Sequence, residues 1–180
     1  MKTSLPVALA AALVALPVFA AEPKPTTRAE QSFLNEAARG GMAEVELGRV
    51  ATQNASNDRV KEFGQRMVDD HGKVNDELKG LASRENVTLP TSISKDEQKQ
   101  IDRLSRLHGA AFDKAYMQAM VQDHEKDVAK FRQESKTSRD PDVKDFAART
   151  LPTLEEHLSM AKDIAGQSGR TTAGTRRHGH

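Results

Sequence analysis

The chain has 180 residues, 27 basic and 26 acidic, for a net charge of +1, and contains neither cysteine nor tryptophan. Charge so evenly balanced argues against nucleic acid or a strongly anionic membrane surface as a partner. Without cysteine there are no disulfides and no thiolate metal ligands. With Tyr116 as the one tyrosine, the chain offers no aromatic platform for stacking bases or sugars.

Residues 1–20 read as a secretory signal peptide. Lys2 supplies a positive start, and the apolar stretch from Leu5 to Phe19 is broken only by Pro6 and Pro17. Val18-Phe19-Ala20 forms a small-residue cleavage site, so cleavage is expected after Ala20. The apolar stretch is too short and wrongly flanked to span a membrane, and the mature chain has no transmembrane segment. With no cysteine to carry a lipid, a periplasmic product is expected. Residues 21–27 (AEPKPTT) are a proline-containing spacer. The remainder suffices for one domain around one core, placed at 28–165.

Within that domain, apolar residues recur with helical period over four long segments, and no strand pattern competes. The first helix runs from about Arg28 to Ala55. A tight connection at Ser56-Asn57-Asp58 follows, with Asn57 or Asp58 as the N-cap, and the second helix spans about Arg59 to Glu85. In the connector, Ser94 and Glu97 have the spacing of a capping box and open a short helix to about Leu107. Gly109 breaks the pattern. A third long helix covers about Ala110 to Ser135. Asp140 caps the fourth, Pro141 occupies its first turn, and the helix reaches about Ile164. Residues 166–180, rich in Gly, Ser, Thr and Arg, are expected to be a disordered tail.

Four long helices with two tight connections predict an all-α four-helix bundle. The connection between the second and third long helices is long enough to cross the bundle's length, which would set those two helices parallel. Two M-V-x-D-H segments, Met67 to His71 and Met120 to His124, echo one another.

At about 100° per residue, each long helix carries one ionisable residue at the centre of its apolar face. Glu44 lies among Phe33, Ala37, Gly41, Gly48 and Ala51. His71 lies among Val60, Gly64, Met67, Val74 and Leu78. His124 lies among Met117, Met120, Val121, Val128 and Phe131, and His157 among Phe146, Thr150, Leu154, Ala161 and Ile164. Counted from the tight turns at about 1.5 Å per residue, all four fall near mid-bundle. Buried ionisable groups are costly unless paired or bound to a metal.

Imidazole suits Zn, Fe, Cu and Ni, and carboxylate adds a harder ligand. Glu44, His71, His124 and His157 are therefore the candidate ligands of one divalent transition metal, zinc before iron or copper. Asp70, Asp123 and Asp127, at the edges of these faces, would orient the imidazoles or serve as alternate ligands. Asp113 is more distant and suits a helix-terminal role.

Other features read as structural. Met67, Met117, Met120 and Met160 fill core gaps. Gly40, Gly41, Gly48 and Gly64 allow close helix approach or leave room beside the polar site. Pro152 should kink the fourth long helix. His178 and His180 are adventitious ligands at most. Pairs such as Glu62 with Arg66 are solvated surface.

These residues together resemble the bacterial envelope family known as domain of unknown function 4142. The resemblance runs from about Phe33 to Ile164. It rests on Ala43-Glu44-Val45, on Arg66-Met67-Val68-x-Asp70-His71, on Phe112-Asp113 with His124, and on Leu151-Pro152-x-Leu154-x-x-His157. It implies a ferritin-like four-helix bundle exported to the periplasm or outer envelope, and it implies no activity. Di-iron ferritins place a glutamate three residues before each ligating histidine on two of their helices. Here Val68, Val121 and Leu154 hold those positions, so iron storage and di-iron chemistry are not expected.

Three functions follow in order. The first is an exported metal-binding bundle of envelope or stress physiology. The second is a non-catalytic helical module for an envelope partner, its core His and Glu joined by hydrogen bonds. The third is a metal-dependent oxidoreductase.

Overall fold

A computed structural model describes residues 25–174 of the chain, with side chains as far as residue 167. The expected signal peptide, the first part of the spacer, His178 and His180 lie outside the described residues. Five α-helices and no strand make up the described part: α1 (Arg28–Asn54), α2 (Asp58–Arg84), α3 (Lys95–Ser105), α4 (Gly109–Thr137) and α5 (Pro141–Gly174).

Local chemistry explains where most of them begin. Thr27 and Glu30 form a capping box at the start of α1, and Ser94 with Glu97 forms another at α3. The Asn57 side chain accepts from the Arg59 N–H at 2.9 Å and opens α2. Asp140 Oδ1 accepts from the Asp142 and Val143 N–H groups at 2.9 and 3.0 Å, ahead of Pro141 in the first turn of α5. Each cap satisfies N–H groups that a helix leaves without internal partners. The start of α4 has no side-chain cap. There the chain turns at Gly109, whose φ of +60° only glycine adopts without strain.

The last helix is longer than expected. It continues through Pro152 and past Ile164, so residues 166–174, read above as tail, extend α5.

The helices pack as two hairpins, α1 with α2 and α4 with α5, and the hairpins meet along α1–α4 and α2–α5. Paired residues give the directions. Phe33 meets Phe131 near the start of α1, and Asp113 meets Ser56 near its end, so α1 and α4 are antiparallel. Arg59 pairs with Asp163 and Arg84 with Asp142, so α2 and α5 are antiparallel too. Consequently α2 and α4 run parallel, and residues 85–108 return along the bundle as the connector length requires. On the way α3 packs against α1 and α4, and the Asn54 amide secures it by donating to the Ser105 and Leu107 carbonyls at 3.1 and 2.9 Å.

Two glycines permit the close approach of α1 to α2. A Cβ on Gly48 would lie 2.5 Å from the Gly64 carbonyl oxygen, and one on Gly64 would lie 2.6 Å from the Ala51 Cβ.

The apolar core divides into two clusters. One contains Phe63, Met67, Leu104, Phe112, Tyr116 and Met120. The other contains Phe33, Leu78, Phe131, Phe146 and Leu154. The boundary between them falls between Met67 and Leu78 on α2, between Met120 and Val128 on α4, and between Leu154 and Ala161 on α5. His71, His124 and His157 lie in those intervals. The bundle thus has a polar layer at mid-length, bounded above and below by hydrocarbon.

Candidate metal centre

The three histidines are buried, with His124 0% and His157 1% exposed. Their ring centroids are 5.3–5.7 Å apart. One nitrogen from each ring can be chosen so that all three lie within 4.8 Å of one another. Phe63 packs edge-on against both His124 and His157 and closes the layer on the side of the first apolar cluster.

Hydrogen bonds fix how two of the rings present themselves. His124 Nδ1 lies 2.9 Å from the Met120 carbonyl oxygen. A carbonyl only accepts, so Nδ1 carries the proton and Nε2 holds a bare lone pair. His157 Nε2 lies 3.0 Å from Asp70 Oδ2, which places its proton there and leaves Nδ1 bare. Both bare nitrogens, and His71 Nε2 with them, are buried without a hydrogen-bond partner.

The electrostatics keep all three rings neutral. Burial pushes His71 well below the ordinary histidine range, reinforced by His124 and His157. Burial and His157 lower His124 to about 4, against the opposing bond to Met120. His157 is lowered by burial even though Asp70 pulls it upward. Neutral imidazole is the form that binds metal.

Asp70 does orient a histidine, but across the helix interface: its partner is His157 on α5, and not its sequence neighbour His71. Burial would raise the Asp70 carboxyl, but bonds from His157 and Arg66 outweigh it and hold the group low. Arg66, expected among solvated pairs with Glu62, instead reaches Asp70 at 3.2 Å and Glu156 at 2.8 Å. A relay of Glu156, Arg66 and Asp70 thus runs from the surface to the ring of His157. The i, i+4 spacing of Arg66 and Asp70 was the available signal for it.

Glu44 is brought into the polar layer but not into the histidine group. Its Oε1 lies 4.0 Å from His124 Nδ1, the nitrogen already committed to Met120, and its Oε2 is buried without a partner. Its carboxyl approaches His124 from α1 on the Nδ1 edge, which the Met120 carbonyl already occupies. Burial, then Asp127 and Asp123, raise its pKa well above the carboxylate range.

Asp123 serves a different purpose from the one expected. It accepts from the Gln100 amide at 2.7 Å and pairs with Lys126 at 3.4 Å, which ties α3 to α4. Asp127 makes no contact with a histidine; burial and Asp123 raise it to about 7. Asp113, expected at a helix terminus, receives the Ser56 and Asn57 N–H groups and the Ser56 hydroxyl, binding α4 to the α1–α2 turn.

Several buried polar groups went unnoticed in the sequence, Glu30 and Tyr116 among them. The Tyr116 hydroxyl is completely buried without a partner, and burial together with Glu44 raises its pKa. As an aromatic at a helical core position it carries no sign of this in the sequence.

Fold and site together define a helical bundle with a buried histidine triad. The chain belongs to the family described as "Domain of unknown function (DUF4142)", which matches residues 15–164. Among solved structures, the chain is similar in fold to a crystallised DUF305 fragment from Deinococcus radiodurans. The TM-score is 0.70 at 14% identity, over 80% of this chain and 99% of that one. Among curated proteins none matches significantly.

Proposed function

We propose that the protein is an exported metal-binding bundle of ferritin-like helix arrangement, in which His71, His124 and His157 hold one divalent transition ion. The observation that carries this reading is the set of three partnerless ring nitrogens, one from each of three helices, converging in a buried layer. Polar ring nitrogens buried in a core are expensive to leave unsatisfied, and a cation satisfies the lone pairs of His124 Nε2 and His157 Nδ1 together with that of His71 in its Nδ1–H tautomer. Imidazole binds zinc at about 2.0–2.1 Å, so nitrogens within 4.8 Å of each other need only sub-ångström inward movement to share an ion. Met120 and Asp70 supply the outer hydrogen bonds that metal-bound imidazoles ordinarily have.

Zinc is the first candidate and iron or copper the alternatives, because three neutral imidazoles suit each of them. Three nitrogens leave a coordination position for a further ligand, which Glu44 would reach only by turning past His124. The export signal at residues 1–20 would put this activity in the periplasm, in envelope or stress physiology. The second reading, a hydrogen-bonded core serving an interaction module, is less well supported, since the bare nitrogens of His124 and His157 have no hydrogen-bond partner.

Elemental analysis of the purified protein, carrying no affinity tag, tests the assignment. About one equivalent of a transition metal is expected, lost in His71→Ala and His157→Ala. Less than about 0.2 equivalents after reconstitution would overturn it.

A further inference from the structure

Between α1, α3 and α4 lies a cavity of about 120 Å³ that the histidine site does not include. Its walls contain four carboxylates, Glu44, Glu97, Asp123 and Asp127, against one ammonium, Lys126. Glu97 and Asp127 are partly exposed, while Glu44 forms part of a buried floor with Ala43 and Leu47. An acidic cluster alone would mean little. Here, however, Glu44 is 4% exposed and its Oε2 has no partner, so a buried carboxyl, held protonated by its burial, lies unsatisfied beside the cavity.

A second cavity, of about 30 Å³, shares Gly40 and Asp127 with the first and has His71 in its wall. That volume is enough for one or two waters. The two cavities are thus neighbours across Gly40 and Asp127, the first lined by carboxylates and the second, mostly apolar, reaching a ring of the triad. Gly40 borders both, and a Cβ there would meet nothing within 4 Å, so the space beside it is open.

The α2–α5 face offers a cation much less. The Arg66 guanidinium lies over it, held by Asp70 and Glu156 and touching the Met160 sulfur at 3.4 Å. Along the bundle axis Phe63, Met67 and Met120 close the approach with hydrocarbon.

We propose that the acidic cavity is the entrance by which a divalent cation reaches the three histidines, with Asp127 at the junction and Gly40 keeping the way clear. A cleft lined by carboxylates concentrates counter-ions and raises their arrival rate; here burial keeps Glu44 protonated and leaves Asp127, at about 7, only partly ionised near neutral pH, so Glu97 and Asp123 set the sign of the cleft. Oxygen ligands hold a hydrated cation loosely, and the imidazoles capture it beyond them. This inference rests on the metal-binding reading above and adds the route of access.

The test is stopped-flow binding of Co²⁺, followed by its absorption, to the wild-type protein, Gly40→Leu and Asp127→Asn. Gly40→Leu fills the junction without touching a histidine. It should slow association and dissociation alike by about tenfold or more, leaving the dissociation constant within about twofold. Above about pH 7, where Asp127 is ionised, Asp127→Asn should slow association and flatten its dependence on ionic strength. Wild-type rates in both variants would overturn the proposed route while leaving the metal site intact, as would a loss of affinity in Gly40→Leu at an unchanged association rate. Failure of the wild-type protein to bind Co²⁺ at all would overturn the site and the entrance together.

Discussion

Glu30 and Glu44 lie on the same helix, 3% and 4% exposed, and the structure treats them in opposite ways. At the end of the bundle, Glu30 Oε1 accepts from the Ser138 hydroxyl and from the Arg139 and Asp140 N–H groups, while Oε2 accepts from the Thr27 N–H. Burial alone would raise this carboxyl, but those bonds overcome it and bring the pKa down to about 2. At mid-length, Glu44 and the three imidazoles keep bare atoms in the same degree of burial. At the far end Asp113 repeats the Glu30 pattern with both oxygens bonded. Saturated carboxylates at the ends act as latches between helices. The layer between them is left unsaturated, with buried ring nitrogens and a carboxyl oxygen that have no partner, which is where the proposed ion would bind.

The largest effect should come from the better-satisfied end. Glu30→Gln keeps the volume and removes the charge. From 4.5 to about 2, at about 1.4 kcal/mol per unit, the loss should be about 3 kcal/mol near neutral pH, read by denaturant unfolding. The folded pKa lies below the unfolded one. The contribution is therefore complete above about pH 4.5 and fades as pH falls toward 2, so wild type and variant should converge there. A loss below about 1 kcal/mol would break the distinction between ends and middle.

Next in size is the response of the middle to metal. At an ion concentration 100-fold above its dissociation constant, stabilisation should be about 2.7 kcal/mol. Thermal melts with Zn²⁺ and then with excess chelator would show it, and His71→Ala should abolish it. A rise that persists in that variant would place the ion elsewhere.

Asp113→Ala should cost about 2 kcal/mol, because it strands two backbone N–H groups of the α1–α2 turn. That loss should be the same with or without metal, which sharpens the contrast: latches act on the fold, and the layer acts through its ligand.

The smallest effect has the opposite sign. In metal-free protein, His124→Leu should raise stability by about 1 kcal/mol by removing an unsatisfied buried nitrogen. The wild-type His124 pKa is about 4 when folded, against 6.5 unfolded. The unfolded chain therefore binds more protons between those values, and folding stability falls as pH drops from about 6.5 to 4. Unfolding curves across that range should show the slope in wild type and a shallower one in His124→Leu. Destabilisation of the metal-free variant would mean that His124 is satisfied after all.

Helical periodicity located much of this in advance. The residues placed around Glu44, His71, His124 and His157 are buried with few exceptions, and the caps at Asn57, Ser94 and Asp140 fall where side-chain chemistry put them. Both depend on neighbours within one or two turns, whose geometry is set by the helix itself. Less was legible wherever a partner came from another helix. Asp70 was expected to orient one of the imidazoles, and the α2–α5 contact decides that this is His157. Asp123 was expected to orient an imidazole or serve as an alternate ligand, and the packing of α3 gives it the Gln100 amide as a partner. The tail looked unstructured from its composition, yet α5 runs on to Gly174.

What the amino-acid order determined unaided was that four ionisable groups would face inward at one level, because facing and level are properties of a single helix counted at a fixed rise and rotation. Which of those groups meet was decided only when the helices packed. The α2–α5 and α4–α5 contacts gather three imidazoles. The α1–α4 contact leaves Glu44 at the Nδ1 edge of His124, beside an acidic cavity of its own. Distances between atoms on different helices follow from interaxial packing, which no one-dimensional spacing encodes.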